Sequence, residues 1–250
     1  MTVKDYMDKM ELLAPQTLAC AWDHVGLMAG DLSREVTGVL LCMELSAHSV
    51  PEALRNGCNM IITHHPAIFH PLSTLREDNR AAQLLCEAIR NHIAIFSAHT
   101  NLDYAEDGIE ERLVKALCGG RALRTSDGRH CFGILPRPMS FADFSAHAAK
   151  VLDTKPRGIP PRQADCLISR VGCACGAYDG ERDWLYENGC DVLVTGEAKQ
   201  SEIAALALED FPTLLCGHFA TEYPGLAALR ERLPGRVVLS EYKSGDGILV

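Results

Sequence analysis

One internal repeat constrains the fold of this 250-residue chain more than any other feature of its sequence. Residues 53–64 and residues 184–196 share one order of elements: a helix end, a glycine, a cysteine, an Asn or Asp, and an apolar run that ends in threonine. The matching glycines, Gly57 and Gly189, are 132 residues apart, and both suit the position that follows a helix C-terminus. Self-similarity of this kind predicts two copies of one structural unit.

A second pair of segments supports the duplication. Residues 93–103 are echoed by residues 212–222, and the two segments lead into similar helical patterns over 108–117 and 225–233. Each segment combines an apolar run with a histidine and, four residues later, a carboxylate. We therefore expect matching strands in the two units, each followed by the same polar pattern.

The repeated unit is predicted to be α/β. Apolar runs over 36–43 and 60–63 flank a helical pattern over 50–55, and this alternation is typical of a βαβ unit with a parallel sheet. We expect an α/β fold with two similar domains, the first over residues 1–125 and the second over 126–250. The proline-rich stretch over residues 119–163, which contains a helical pattern at Phe141–Leu152, is the expected place of the domain boundary and of variable connections.

Four predicted strand ends carry polar side chains that could form one site. They are His64-His65, His99 with Asp103, Gly196-Glu197, and His218 with Glu222. Ligands of α/β sheets gather at the carboxyl ends of strands. A histidine and a carboxylate at the same place in each half are typical of a metal site, since imidazole and carboxylate oxygen are both good metal ligands.

Five of these residues are the candidate metal ligands: His64, His65, Asp103, His218 and Glu222. This number is too large for one catalytic zinc with an open position, but it suits two ions that share a bridging carboxylate. The ions could be Zn, Fe, Mn or Ni. Because only two of the five ligands are carboxylates, we expect charge to remain for an anionic substrate.

Three roles are compatible with His99: a metal ligand, a residue that orients a ligand, or a core histidine bonded to the backbone. A glycine-rich segment, Gly172–Gly180, could form a phosphate-binding turn, although tight packing explains its glycines equally well. The sequence contains no P-loop, no GxSxG nucleophile motif and no HExxH helix, which excludes the enzyme classes that depend on them.

Charge and hydropathy limit the partners. The net charge of −9 provides no broad basic surface, so nucleic-acid binding is not expected. No apolar run reaches the roughly 18 to 20 residues of a membrane helix. The first residues lack a signal-peptide pattern, and eleven scattered cysteines without a CxxC motif fit a reducing compartment. We expect a cytoplasmic protein without a membrane partner.

Five motifs together resemble one known family. They are Trp22-Asp23-x-Val25-Gly26-Leu27, Thr63-His-His-Pro-x-Ile-Phe69, His99-Thr-Asn-Leu-Asp103, Thr195-Gly-Glu197 and Gly217-His-x-Ala-Thr-Glu222. In order and spacing they resemble the NGG-one-interacting-factor-three-like family, also known as GTP cyclohydrolase I type 2 homologues or YbgI-like dinuclear metal-centre proteins. The resemblance implies two interlinked α/β domains, a dinuclear centre at their junction and a homohexameric ring. The family's ligands fall on the five candidates, with Glu222 as the expected bridge.

Two functions fit these observations. The first is a metal-dependent hydrolase that acts on a nucleotide or a related phosphorylated small molecule, of GTP cyclohydrolase type, with His99 as a catalytic proton shuttle. The second is a non-catalytic metal-binding or regulatory ring that stores, delivers or senses metal. A purely structural protein with buried histidines remains only if the chain binds no metal.

Overall fold

The structure, a computed structural model, describes residues 1–76, 78–163 and 165–243. Its contacts divide the chain into two compact units. The first unit contains Met1–Glu106 and the segment that begins at Leu226, and the second unit contains Asp107–Gly225. The chain therefore leaves the first unit, forms the second, and returns to the first.

The helices follow the capping signals of the sequence. Thr2 and Asp5 form a capping box at the first helix, and the Ser140 side chain accepts a hydrogen bond from Asp143 N at the sixth. The helices of the described residues are α1 (Val3–Leu13), α2 (Ser49–Arg55), α3 (Arg80–Arg90), α4 (Thr100–Asp103), α5 (Ile109–Cys118), α6 (Phe141–Leu152), α7 (Asp183–Glu187), α8 (Gln200–Leu208) and α9 (His218–Arg232), with a 3-10 turn at Gln16–Leu18.

The strands form one sheet in each unit. They are β1 (Gly26–Ala29), β2 (Val39–Cys42), β3 (Met60–Thr63), β4 (Ala94–Ser97), β5 (Leu123–Arg124), β6 (Cys131–Ser140), β7 (Arg157–Ile159), β8 (Leu167–Tyr178), β9 (Val192–Ala198), β10 (Thr213–Leu215) and β11 (Val237–Leu239). The first sheet has the order β1-β4-β3-β2-β11, and the second has the order β5-β6-β8-β9-β10-β7.

The two sheets share a four-strand arrangement. In the first unit β2, β3 and β4 run parallel and β1 pairs antiparallel with β4. In the second unit β8, β9 and β10 run parallel and β7 pairs antiparallel with β10. The order β1-β4-β3-β2 therefore matches β7-β10-β9-β8. The prediction of an α/β fold with two similar units is confirmed.

The units differ in the strand next to this shared arrangement. In the first unit β11 pairs parallel with β2, whereas in the second unit β6 pairs antiparallel with β8. Because β11 comes from the end of the described chain, the compact units have other bounds than the predicted 1–125 and 126–250. That division of the sequence stays a prediction.

Several predicted elements are confirmed and one is corrected. Phe141–Leu152 is a helix, Met60–Thr63 is a strand, and Gly57 and Gly189 each follow a helix C-cap with positive φ. The last predicted helix, over 225–233, begins earlier, at His218. Directly after β10, the N–H of Gly217 donates to the carbonyl of Gly196. This hydrogen bond ends the turn at Gly217, so the helix begins at the next residue.

Each unit has its own apolar core. The parallel strands β2, β3 and β4 are buried along their whole length, as expected for strands covered on both faces. In the second unit, Phe144 of α6 and Leu113 of α5 pack with the buried residues of β8 and β9. No helix among the described residues has both the length and the apolar character to cross a membrane.

The glycines of the segment Gly172–Gly180 pack tightly against neighbouring side chains. The segment lies almost wholly within β8, and a side chain at Gly172 would come within 2.6 Å of the Leu185 side chain and 3.0 Å of the Trp184 ring. Of the two explanations that the sequence left open, tight packing is the correct one for Gly172.

A buried histidine–carboxylate pair lies in the second unit. The Nδ1 of His130 lies 3.4 Å from Glu110 Oε1, and the imidazole stacks on the Trp184 ring with centroids 4.4 Å apart. Both side chains of the pair are buried. Burial lowers the pKa of His130, but the hydrogen bond and charge of Glu110 outweigh it, so the pKa lies above the ordinary value of 6.5.

We expect this pair to stabilise the fold in a pH-dependent way. Because the pKa of His130 is raised in the folded state, its contribution is fully present below pH 6.5 and is lost as pH rises through the folded value. Glu110→Gln should lower the pKa of His130, measured by NMR titration. It should also lower the free energy of unfolding more at pH 6 than at pH 8.5. His92→Asn, at an exposed histidine, is the control. A His130 that titrates below 6.5 in the parent contradicts the expectation.

Candidate metal centre

Three histidines meet in the first unit at the ends of β3 and β4. His64, His65 and His99 each offer a ring nitrogen, and these nitrogens lie within 4.8 Å of one another. Asp103 joins them, because its Oδ1 lies 3.5 Å from His64 Nε2. We call His64, His65, His99 and Asp103 the first cluster. His64 is fully buried, whereas His65 and His99 are partly exposed.

Each histidine of the first cluster is held through its Nδ1. His64 donates to the carbonyl of Ala98 at 2.9 Å. His65 Nδ1 lies 3.3 Å from Glu44 Oε2, and His99 Nδ1 lies 3.0 Å from an Asp23 carboxylate oxygen. An N–H at Nδ1 places the lone pair of each ring on Nε2.

Asp23 also fixes the start of α4. Its second carboxylate oxygen accepts from Thr100 N at 3.0 Å and from Thr100 Oγ1 at 2.5 Å. Burial raises the pKa of Asp23, but the hydrogen bonds from His99 and Thr100 outweigh it and hold the pKa well below its usual value of 3.8. Asp23 is therefore a carboxylate that acts only as an acceptor, which fixes the tautomer of His99.

A second group lies in the second unit, at the ends of β9 and β10. His218 is the first residue of α9, with Nδ1 3.0 Å from Glu197 Oε1 and Nε2 3.0 Å from Glu222 Oε1. His218 and Glu222 are four residues apart on the helix, so their side chains share one face. We call Glu197, His218 and Glu222 the second cluster. Glu222 is buried, and Glu197 is exposed.

Two glycines make room for the second cluster. Gly176 has φ +60°, and a side chain there would come within 2.3 Å of Glu222 Oε1 and 3.0 Å of His218 Nε2. A side chain at Gly196 would come within 2.4 Å of the Gly176 carbonyl and 2.7 Å of the His218 Cα. Thr221 adds a hydroxyl that accepts from Gly176 N at 3.1 Å. The backbone of β8 thus lies directly against the side chains of His218 and Glu222.

The two clusters occupy matching positions of the duplicated fold. His99 corresponds to His218 and Asp103 to Glu222, whereas His65 corresponds to Glu197. All four histidines of the clusters have Nδ1 next to an acceptor oxygen. Metal-binding histidines are held in this way, since the second nitrogen then faces the ion in a fixed direction. The donor set therefore fits divalent metal ions.

The structure places the predicted residues as follows. His64, His65 and Asp103 are in the first cluster, and His218 and Glu222 are in the second. Their role as metal ligands stays a prediction. His99 lies beside His64 and His65, is partly exposed and bonds through its ring to the Asp23 carboxylate, so it is not a core histidine bonded to the backbone; its role stays a prediction.

Three carboxylates that orient the histidines were not predicted from the sequence: Asp23, Glu44 and Glu197. Asp23 stands in one of the quoted motifs, and Glu197 stands at a strand end, but neither was assigned a role. Glu44 follows the end of β2 and could have been found by the same strand-end argument. A further group, His130 with Asp179 and Glu181, has metal-ligand spacing, but its two carboxylates are exposed and its imidazole is packed against Trp184.

The family model described as Duf34/NIF3 (NGG1p interacting factor 3) matches residues 1–242 of the chain. The chain belongs to this family. Among curated relatives, it is 27% identical over 244 residues to a protein of Clostridium acetobutylicum named GTP cyclohydrolase 1 type 2 homolog, covering 93% of this chain and 90% of that protein. A protein of Streptomyces coelicolor with the same name is 27% identical, with 89% and 82% covered.

Solved structures of this fold resemble the NIF3-family chain along nearly its whole length. A hypothetical protein of Staphylococcus aureus superposes with a TM-score of 0.89 at 23% identity and 98% coverage of both chains. Reduced HcgD from Methanocaldococcus jannaschii has a TM-score of 0.83 at 23% identity, covering 97% of this chain and 98% of that one. At these identities the likeness shows the fold.

Gly176 provides a test of the second cluster. In Gly176→Ala, the new methyl group would collide with Glu222 Oε1 in addition to the cost of a positive φ, so Glu222 must move. We expect a loss of at least about 3 kcal/mol in the free energy of unfolding, measured by urea denaturation. Gly128→Ala is the matched control, because Gly128 has φ +74° and open space around it. Its loss should be only about 1 to 2 kcal/mol. Equal losses in the two variants would contradict the close packing of Glu222.

Proposed function

We propose that the chain is a dinuclear metal-dependent hydrolase that acts on a nucleotide or a related phosphorylated small molecule. The observation that supports this most strongly is the orientation of the four histidines, each held at Nδ1 by an acceptor oxygen. Two curated relatives are named GTP cyclohydrolase 1 type 2 homolog, which supports a nucleotide substrate and makes GTP the first one to test.

The proposed ligands are His64, His65, Asp103, His218 and Glu222, with Glu222 as the bridge between two divalent ions. When bound, such ions would polarise the substrate and make a water nucleophile available near neutral pH. Zn, Fe, Mn and Ni all suit a set of three imidazoles and two carboxylates. We propose, from the family resemblance, that the chains assemble into a hexameric ring. The scattered cysteines without a CxxC motif support a cytoplasmic location.

We assign His99 the role of proton shuttle. Its Nδ1–H donates to Asp23, so its Nε2 carries the lone pair that can accept a proton from the nucleophile. The Asp23 carboxylate then stabilises the imidazolium and keeps the ring in place. The same proton can pass to the leaving group as the product forms.

The first test is the metal content per chain, measured by elemental mass spectrometry on protein purified without chelator. We expect about two ions in the parent and a clear loss in His64→Ala and Glu222→Gln, since each variant removes a proposed ligand. His48→Ala is the control, because His48 stacks on Tyr242 and lies outside both clusters. Thermal unfolding of each variant shows that it is folded. A parent chain without metal, even after reconstitution with Zn, Mn or Fe, would overturn the proposal.

A second test separates His99 from the ligands. We expect His99→Ala to keep its metal and to lower kcat by a factor of about 100 to 10,000, the usual contribution of a general acid–base group. Asp23→Asn should lower kcat as well, because an amide no longer fixes the tautomer of His99 and does not stabilise the imidazolium. The measurements are turnover of GTP, other nucleotides and phosphoesters, together with metal content. Loss of metal in His99→Ala would show that His99 is a ligand. A parent chain that holds its metal but turns over none of these compounds would favour metal storage, delivery or sensing.

A further inference from the structure

Two large aromatic side chains next to the first cluster are exposed. Trp22 is 57% exposed and Phe69 is 46% exposed, whereas the other tryptophan, Trp184, is 7% exposed. Their ring centroids are 6.0 Å apart, and the His99 ring lies 6.0 Å from Trp22 and 6.4 Å from Phe69. Exposed aromatic rings at a site of convergent polar groups are typical of ligand contacts.

The other exposed aromatic residues already have local partners. Tyr186 packs on Phe211 and bonds to a carboxylate of Glu209, and Tyr242 stacks on His48. Trp184 donates its indole N–H to the carbonyl of Glu181. Among the hydrogen bonds of the described residues, the indole N–H of Trp22 has no acceptor, so it can donate to a ligand.

The segment that carries Trp22 is held firmly in place. Asp23 N bonds to the Cys20 carbonyl at 2.9 Å, and Cys20 N bonds to Thr100 Oγ1 at 2.9 Å. The Asp23 carboxylate bonds in turn to His99 and Thr100. Trp22 therefore lies in a turn whose two ends are both tied to the start of α4. Its side chain is exposed on a fixed backbone, which lowers the entropic cost of binding a ligand.

Phe69 is anchored from the other side. Ala67 N donates to Ser97 Oγ at 3.2 Å, and Ile68 packs against the apolar core of the first unit. The Trp22 and Phe69 rings are inclined at 45°, and both meet the His99 ring edge-on, at 70° and 68°. Because the rings are inclined, a planar group can stack on one of them with the other as a wall, but it cannot lie flat against both.

We propose that Trp22 and Phe69 form a stacking platform for the planar nitrogen-heteroaromatic part of the substrate. Every such ring has a π-face that can stack on either side chain, and a ring that stacks on Phe69 can present an acceptor to the indole N–H, which points outward in the plane of the Trp22 ring. The proximity of the platform to His99 brings the heteroaromatic part toward the proposed reacting groups. This inference deepens the proposed function, since it assigns the part of the substrate that the first unit recognises.

The test measures binding and needs no turnover. Guanosine 5′-monophosphate is titrated into the full chain, with and without added Zn, while tryptophan fluorescence is excited at 295 nm and heat is measured by calorimetry. Ribose 5-phosphate, which lacks the base, is the comparison ligand. We expect the base-containing ligand to quench Trp22 and to bind about tenfold tighter or more than ribose 5-phosphate, in line with aromatic stacking elsewhere.

Variants separate stacking from other contacts. Trp22→Leu and Phe69→Leu should weaken binding of the nucleotide by roughly 5- to 100-fold, whereas Phe69→Tyr, which keeps a ring, should bind within about twofold of the parent. Tyr186→Leu is the control at an exposed aromatic residue in the second unit. Trp184 remains as a buried fluorophore that reports an intact fold.

The outcomes distinguish this inference from the proposed function. Unchanged nucleotide affinity in Trp22→Leu, or equal affinity of the parent for ribose 5-phosphate, overturns the platform even if the chain hydrolyses nucleotides. If the parent binds guanosine 5′-monophosphate more tightly than ribose 5-phosphate and Trp22→Leu abolishes this difference, the platform is supported even if no turnover is found. No binding of the nucleotide by the parent at millimolar concentration overturns the platform as well.

Discussion

The carboxylate of Asp23 is the interaction on which the first cluster depends. One of its oxygens bonds to His99, and the other bonds to the backbone and hydroxyl of Thr100. The same residue fixes the turn that carries Trp22. Removing this carboxylate would release an imidazole, a helix start and an exposed aromatic residue together. Charge-assisted hydrogen bonds of this kind are about twice as strong as neutral ones, which explains why one residue can hold three elements.

Duplication explains why the two clusters are similar, and packing explains why they differ. The strand that ends at Thr63 continues into His64, whereas the matching strand continues from Thr195 into Gly196. A side chain at Gly196 would collide with the Gly176 carbonyl at 2.4 Å, so the second unit cannot carry a histidine at that position. The second cluster therefore has one imidazole, and the first has three. The units have diverged so that most of the nitrogen donors come from one of them.

Local patterns in the sequence were sufficient to predict several elements of the fold. The strand Met60–Thr63 and the helix Phe141–Leu152 have the predicted bounds, because apolar periodicity and capping residues are local signals. The pairing of β11 with β2 is different, since it joins residues about 200 positions apart and has no local signature. For that reason the unit bounds could not be read from the sequence.

The orienting carboxylates were hidden for the same reason. Asp23 bonds to a histidine 76 residues away, and Glu44 bonds to one 21 residues away. A single sequence shows candidate ligands by their repetition at strand ends, but it does not show which acid faces which imidazole. The exposure of Trp22 was equally hidden, because a tryptophan in an apolar motif is as compatible with a core position as with a binding surface.

These carboxylates change the expected charge of the proposed metal centre. With Asp103 and Glu222 alone, two divalent ions would leave two positive charges for an anionic substrate. In the proposed centre, Asp23, Glu44 and Glu197 would add three negative charges behind the histidines, which offset those two positive charges and leave about one negative charge. A phosphate group then gains less attraction from the centre than the sequence suggested. Recognition must come more from uncharged contacts, and the exposed rings of Trp22 and Phe69 next to His99 are the contacts that the first unit offers for that purpose.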